Sequence, residues 1–372
     1  MYKALYLHIP FCKQRCAYCD FTTAAIAGDD PAIDEYLLDL ESEIKQAAQC
    51  GDLAQIQTLY IGGGTPTHLG HDRLVRLALL LAHSLDVASL QEYTLEANPE
   101  SLSLEICTDL AALGVNRLSL GVQSFVDSEL ASLGRIHDAA RAKQALAQAR
   151  SVFTNISLDL ICGIPAQTSE SWQYSLEQAL ALAPEHLSIY PLQLEAGTEL
   201  YESLQTGRIS EPLPDEDEQA DFMEQAARML AANGYERYEV ASYAKPGFAS
   251  KHNSCYWLGL DYLGLGRGAA SMKTLADGGR QRWFDGESAE ILTAREACAE
   301  DLMLAMRMKS GVSVLKLEEA SRLLPTVGEV FLELQQLGLV DYVADAVAGY
   351  QPSEKGWLLG NELYTRIWSL AG

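Results

Sequence analysis

The chain has 372 residues, 48% hydrophobic and 21% charged, enough for one large domain, a smaller one and a real core. Its formal net charge of −24 argues against broad binding to nucleic acid or anionic membrane, which needs a basic face. No apolar run approaches the roughly 18 uncharged residues of a membrane span, and eight cysteines in so long a chain do not make a disulfide scaffold.

The opening Met1-Tyr2-Lys3-Ala4-Leu5-Tyr6 runs straight into a predicted strand, with no signal-peptide h-region, so a cytoplasmic location is expected. The first half then repeats one unit, a short β-branched or aromatic run followed by an amphipathic stretch. Strands are predicted at 4–9, 57–61, 92–96, 117–121, 155–160 and 186–190, with helices at 34–49, 73–84, 104–113, 139–149 and 171–182. Tyr36, Leu37, Leu40 and Ile44 fall at helical spacing, and Gly114 supplies a C-terminal stop. Such alternation predicts a parallel sheet with crossover helices. Six units make either an open doubly wound sheet or an incomplete barrel.

Near residue 205 the rhythm breaks. Residues 211–215 read as a loop, 216–233 as a helix ended by Gly234, and 235–240 as a strand. The tract 252–268 is too rich in glycine for a regular element. From about 293 the chain turns helical, over 295–308, 315–323 and 329–337, with a strand pair near 339–343 and a last helix at 357–370. Helices with a short β wing predict a winged-helix-like end. The expected parts are therefore a β/α unit at 1–205, an α+β extension at 206–290 and the helical end at 291–372.

The strongest chemical signal is Cys12-Lys13-Gln14-Arg15-Cys16-Ala17-Tyr18-Cys19. Structural zinc takes four ligands, usually as two close pairs, and no second pair follows nearby. Three thiolates can instead each hold one iron of a 4Fe–4S cubane, leaving the fourth iron open to chelate a small molecule. The run follows the first predicted strand, the carboxyl-edge position where parallel α/β folds build ligand sites. Cys50, Cys107, Cys162, Cys255 and Cys298 are scattered and read as small buried hydrophobes.

A three-cysteine run of this spacing, with Tyr18 before the last thiol, resembles the signature of radical S-adenosylmethionine proteins. The preceding Tyr6-Leu7-His8-Ile9-Pro10-Phe11 narrows the resemblance to the group of oxygen-independent coproporphyrinogen III oxidase. Further landmarks are Gly62-Gly63-Gly64-Thr65-Pro66-Thr67, Glu96-Ala97-Asn98-Pro99, Leu120-Gly121-Val122-Gln123-Ser124-Phe125, Gly134-Arg135 and Asp159-Leu160-Ile161-Cys162-Gly163-Ile164-Pro165. The resemblance implies an α/β fold, an incomplete (β/α)6 barrel. It implies a 4Fe–4S cluster on Cys12, Cys16 and Cys19, with Gly63, Gly64 and Thr65 at the amino group of S-adenosylmethionine. It also implies cofactor contacts at Tyr6, Tyr18, Glu96, Gln123, Arg135 and Asp159, some of which meet a second S-adenosylmethionine in the oxidases. The difficult electron chemistry then belongs to the cofactor.

Two functions share that scaffold. One is the oxidase, which decarboxylates two propionates of coproporphyrinogen III. The other is a heme chaperone, which keeps the cluster but carries heme to an acceptor protein. The oxidases have a fourth cysteine two residues beyond the third, where this chain has Phe21, and an N-terminal extension, whereas Cys12 lies near the start here. His252-Asn253-Ser254-Cys255-Tyr256-Trp257, continuing to Gly266, matches a motif of the chaperone branch. The carrier is therefore the favoured reading, with His252 as the expected axial ligand of heme, aromatic neighbours over the macrocycle and Cys255 as an additional thiol. A radical enzyme acting on another tetrapyrrole is the third reading.

Overall fold

The computed structural model describes residues 1–209, 211–344 and 348–372. Six strands, β1 (Ala4–Ile9), β2 (Thr58–Gly63), β3 (Glu92–Ala97), β4 (Arg117–Gln123), β5 (Ile156–Cys162) and β6 (His186–Pro191), lie side by side in that order, all parallel. Helices α1 (Pro31–Cys50), α2 (His71–Ser84), α3 (Leu104–Ala112), α4 (Ala139–Arg150) and α5 (Ser169–Leu182) connect them. This is the α/β unit expected from the alternation. In α1 the Asp30 carboxylate accepts the Ala32 N–H at 2.9 Å, Pro31 occupies a turn that needs no donor, and Gly51 at φ 78° ends the helix. Ile33, Tyr36, Leu37, Leu40 and Ile44 form its buried stripe, packed with Leu5, Leu7 and Ile9 of β1. Each such side chain stabilises the layer by about 2 kcal/mol.

The other face of the same strands is polar. Thr58, Tyr60, Glu92, Thr94, Glu96, Arg117, Ser119, Ser157, Asp159, His186 and Ser188 alternate with the aliphatic residues that meet the helices. A closed eight-stranded barrel fills its interior with branched aliphatics. Here the interior is held by hydrogen bonds, among them Tyr60 to Glu96 at 2.6 Å, Ser119 to Asp159 at 3.3 Å and Ser157 with His186 at 2.8 Å.

Beyond β6 the chain departs from expectation in three places. Helix α6 (Glu216–Ala232) forms as expected, with a capping box at Asp215. The single strand expected over 235–240 is instead two short ones, Glu236–Arg237 and Ser242–Ala244, the second antiparallel to β6. The tract 252–268 is regular after all: α7 (Lys251–Trp257) precedes β7 (Tyr262–Leu265), which joins the free edge of β1 in parallel. Its glycines mislead because they serve packing. A Cβ on Gly264 would strike the Ala270 carbonyl, and Gly259 at φ 67° follows the helix end. Strands Ala270–Thr274, Arg280–Phe284 and Glu287–Leu292 then extend the sheet as an antiparallel meander that no periodicity announced. Residues 206–290 thus return to the same sheet, twelve-stranded among the described residues.

The chain end has its own core of Leu302, Phe331, Leu334, Leu363 and Ile367. Its helices Ala294–Ala305, Val314–Ala320, Val327–Gln336 and Gly360–Trp368 pack beside a three-stranded antiparallel sheet, the winged-helix-like arrangement. Buried Arg280 ties it to the meander through Glu300 and Asp301. Among the described residues no helix is long and apolar enough to cross a membrane.

Candidate cofactor site at the carboxyl edge of the sheet

Past β1, Phe11–Cys12 pairs with Ala24–Ala25, and the Ile26 N–H donates to the Cys12 carbonyl at 3.1 Å, closing the intervening segment into a loop. Backbone bonds fix that loop on three sides. Gly64 N–H reaches the Ile9 carbonyl at 2.8 Å, Ala17 N–H the Leu133 carbonyl at 3.0 Å, and Leu200 N–H the Ala17 carbonyl at 2.7 Å. Cys12, Cys16, Tyr18 and Cys19 thereby line a cleft of about 500 Å³. Its far wall is the carboxyl edge of the sheet: Gly63, Gly64, Thr65, Glu96, Gln123, Arg135 and Asp159, with Asn98, Ser119 and Tyr190. Of the residues expected here, all but Tyr6 and His252 meet in one place.

Two sulfurs already have donors. Thr65 Oγ1 donates to Cys12 Sγ and Arg135 Nη1 to Cys16 Sγ, both at 3.4 Å. Asn98 joins these donors: its Oδ1 accepts from Arg135 Nη2 at 2.7 Å and its Nδ2 donates to Thr65 Oγ1 at 2.8 Å. Asn98 stands in the Glu96–Pro99 landmark with no role assigned to it from sequence; its place before Pro99 at a strand end is the signal that marks it. Burial pushes the Cys12 thiol up to about 11 and raises that of Cys19, so thiolates here call for a cationic partner. A Cβ on Gly64 would lie 2.7 Å from the Phe11 carbonyl and 3.0 Å from Cys12 Sγ, so only glycine lets the turn touch the loop. Among the described residues no three His, Cys, Asp or Glu side chains converge as a single ion requires. Three thiols ringing a cleft, with cationic and hydroxyl donors behind them, fit a 4Fe–4S cubane with one iron left open.

Glu96 faces the cleft from the end of β3. Tyr60 donates to its Oε1 at 2.6 Å and the Gly63 N–H to its Oε2 at 3.0 Å. Burial lifts its carboxyl up to about 7 and Asp159 adds to this, while the two donors and Arg117 oppose. A buried acid so poised gains most from a cation brought beside it. Asp159 is likewise raised by burial, against bonds from Ser188, Ser119 and Ser157. Gln123 follows a register shift between β4 and β5 and takes φ 70°, a strained conformation for a residue with a side chain. Tyr6 lies outside the lining of the cleft. Its hydroxyl pairs with His8 Nδ1 at 3.0 Å and its ring lies 6.1 Å from that of Tyr60, one layer below the cleft wall.

His252 lies at the opposite, amino edge. The Glu92 carboxylate accepts from Ser250 Oγ at 3.1 Å, Lys251 N–H at 2.8 Å and His252 N–H at 3.0 Å, anchoring the first turn of α7. The imidazole is 1% exposed. Its Nδ1 pairs with Thr58 Oγ1 at 3.0 Å and its Nε2 with Tyr256 Oη at 2.8 Å. Burial drives its pKa down to about 3, with Arg117 adding, so the ring is neutral. Neither nitrogen is free for iron in this arrangement, and Cys255 is buried beside it.

Six parallel strands with a three-thiol loop after the first, facing a wall of glycine and acid, define a radical S-adenosylmethionine protein, and residues 6–179 match the Radical SAM superfamily. The chain is 36% identical to the heme chaperone HemW of Bacillus subtilis (strain 168), over 97% of this chain and 98% of that protein. It is 39% identical to HemW of Escherichia coli (strain K12), over 74% and 71%. In structure it is similar to coproporphyrinogen III oxidase (HemN) from Escherichia coli, a radical SAM enzyme, with a TM-score of 0.79 at 25% identity, covering 98% of this chain and 90% of that one. The chain belongs to the HemW family of heme chaperones within the radical SAM superfamily.

Proposed function

We propose that this protein is a heme chaperone: it binds heme, passes it to an acceptor protein, and carries a 4Fe–4S cluster on Cys12, Cys16 and Cys19 whose open iron takes S-adenosylmethionine. The observation that carries this over the oxidase is the cleft itself. Its lining cysteines are Cys12, Cys16 and Cys19, and Phe21, 67% exposed, stands where the oxidases have a fourth. The match to relatives called heme chaperones along nearly the whole chain supports the same reading.

When bound, the cluster would supply an electron and an open iron for the cofactor's amino and carboxylate groups to chelate. The chain's own residues orient and shield. Thr65 and Arg135 donate to thiolate sulfur, Glu96 accepts a hydrogen bond from the cofactor's amino group, and Gln123 and Asp159 wall the pocket. Heme is the cargo. Ligation by His252 requires α7 to leave Thr58, Tyr256 and Glu92, so it is tied to an opening of the floor. A reducing cytoplasm suits three free thiols, and the acidic surface suits a protein acceptor rather than nucleic acid.

Anaerobically reconstituted protein, titrated with heme and then mixed with an apo-hemoprotein, tests the reading. Saturable heme uptake followed by transfer is expected, with no protoporphyrinogen formed from coproporphyrinogen III. Turnover of that substrate with a suitable electron donor would hand the chain to the oxidase.

A further inference from the structure

The His252–Trp257 motif sits at the far edge of the sheet from the cleft, yet one path of contacts joins them. Tyr60, in the middle of β2, donates its hydroxyl to Glu96 at 2.6 Å. Its ring has two ring neighbours: His252 lies 5.1 Å away at 31° and Tyr6 lies 6.1 Å away at 33°. With the floor closed, His252 is held at three points, through both ring nitrogens and its backbone N–H. We infer that His252 is a positioning residue for the cofactor pocket, holding the Tyr60 ring so that its hydroxyl fixes the Glu96 carboxylate. This rests on Glu96 taking the cofactor's amine, as proposed above.

The chemistry of the motif suits that role. A neutral imidazole with two hydrogen bonds is a flat, rigid slab that can be buried at little cost. A cation in its place would face buried Arg117 and be expelled. Tyr256 fixes the ring's angle, and Glu92 fixes the helix that delivers it. A hydroxyl aligned with a carboxylate at this distance is a strong bond that weakens steeply with misalignment. A shift of the Tyr60 ring is thus transmitted to the site that meets the cofactor.

The test compares wild type, Tyr60→Phe, His252→Leu, Tyr256→Phe and the double variant His252→Leu/Tyr60→Phe, each loaded with cluster. Affinity for S-adenosylmethionine is read from the change it causes in the electron paramagnetic resonance of the reduced cluster, and heme is titrated in parallel. Tyr60→Phe and His252→Leu should each weaken S-adenosylmethionine by about tenfold. The double variant should match Tyr60→Phe within about twofold, because His252 acts only through Tyr60. Cluster content should not change, and Tyr60→Phe, which leaves His252 in place, should keep the heme affinity of wild type. Tyr256→Phe, which deletes one oxygen, should weaken the cofactor in the same direction and keeps the test open if leucine at 252 prevents folding. Additive losses in the double variant would overturn the inference, as would loss of heme with the cofactor unaffected. Wild-type protein that takes no S-adenosylmethionine sinks the Glu96 reading and this inference together. Wild type that binds while every His252 and Tyr256 variant stays silent sinks the inference alone.

Discussion

The two edges of the parallel sheet are built from the same kinds of residue and do opposite things with them. At the carboxyl edge, thiols, a carboxylate and an arginine line a cleft, and their remaining valences point into it. At the amino edge, Glu92, His252, Tyr256, Thr58 and Ser250 bond to one another and close the interior. The difference lies in connectivity. Loops leaving strand ends at the carboxyl edge have room to diverge around a ligand, whereas α7 is pressed back onto the strand starts and completes their hydrogen bonds. Polar density alone therefore does not mark a site; unspent polar atoms do.

Breaking the open edge should have the largest effect. Cys16→Ser replaces a soft thiolate with a poor iron ligand. It is expected to abolish the cluster's visible absorbance, while Cys298→Ser, remote in the chain-end unit, leaves it intact. An intact cluster in Cys16→Ser would refute the three-thiol assignment. Breaking the closed edge should cost stability first and leave the cluster in place. Glu92→Ala strips the partner from two backbone donors, the Ser250 hydroxyl and the charge nearest Arg117. A loss of about 3–5 kcal/mol in denaturant unfolding is expected, with cluster content retained in the folded fraction. A change below 1 kcal/mol or so would mean the floor is solvated and mobile.

The edges should also respond to pH with opposite signs. Glu96 is raised to about 7 from an ordinary 4.5, so its contribution to stability is full below the lower value and lost as pH rises through the upper. Asp159, Tyr60 and Arg117 are the charged and titratable groups that face it. Ionisation is also what a cationic cofactor rewards, so affinity for S-adenosylmethionine should rise roughly tenfold between about pH 6 and 8. His252 is lowered to about 3 from 6.5, so its contribution is full above the higher value and lost as pH falls. About 2 kcal/mol should be gone by roughly pH 5, and His186, also held low by burial, acts in the same direction. Glu96 gains over part of that range what His252 loses, so the quantity to read is the stability of wild type relative to His252→Leu, by unfolding at several pH values; a difference that stays flat would show that the floor imidazole is hydrated.

How much of this the sequence discloses follows the same division. The β/α rhythm reads out correctly because each helix carries its own stripe and stop, as Ile33 to Ile44 and Gly51 show. The cluster loop reads out because its chemistry is local, three thiols within one turn of chain. Non-local relations do not. Tyr60 looks like a strand aromatic until Glu96, 36 residues later, is placed against it. The burial of His252 is invisible in sequence because the residues that satisfy it, Thr58 and Glu92, belong to strands well over a hundred residues earlier. Gln123 cannot be suspected of a left-handed backbone from its identity. The meander from Ala270 to Leu292 is hidden by strands whose outer faces are polar and exposed, leaving weak alternation to detect.

The smallest expected effect concerns the last residue of the motif. Trp257 faces neither the cleft nor the interior network: Arg307 stacks over its ring at 5.1 Å and over Tyr364 at 4.5 Å. Arg237 makes a matching stack on Trp357 at 4.3 Å and Tyr243 at 5.5 Å. Backbone bonds from Val240 to Arg307 at 2.9 Å and from Lys309 to Tyr238 at 2.9 Å run between these stacks. Two arginines between four rings thus fasten the chain-end unit under the closed edge. Arg307→Met keeps the aliphatic stem and the area it covers, removing only the charge over the rings. A partly exposed cation on an aromatic face contributes about 0.5–2 kcal/mol, so a loss of about 1 kcal/mol is expected, with cluster, cofactor and heme unaffected. If Arg307→Met instead weakens S-adenosylmethionine, the coupling of His252 to Tyr60 extends through α7 and Trp257 into the chain-end unit.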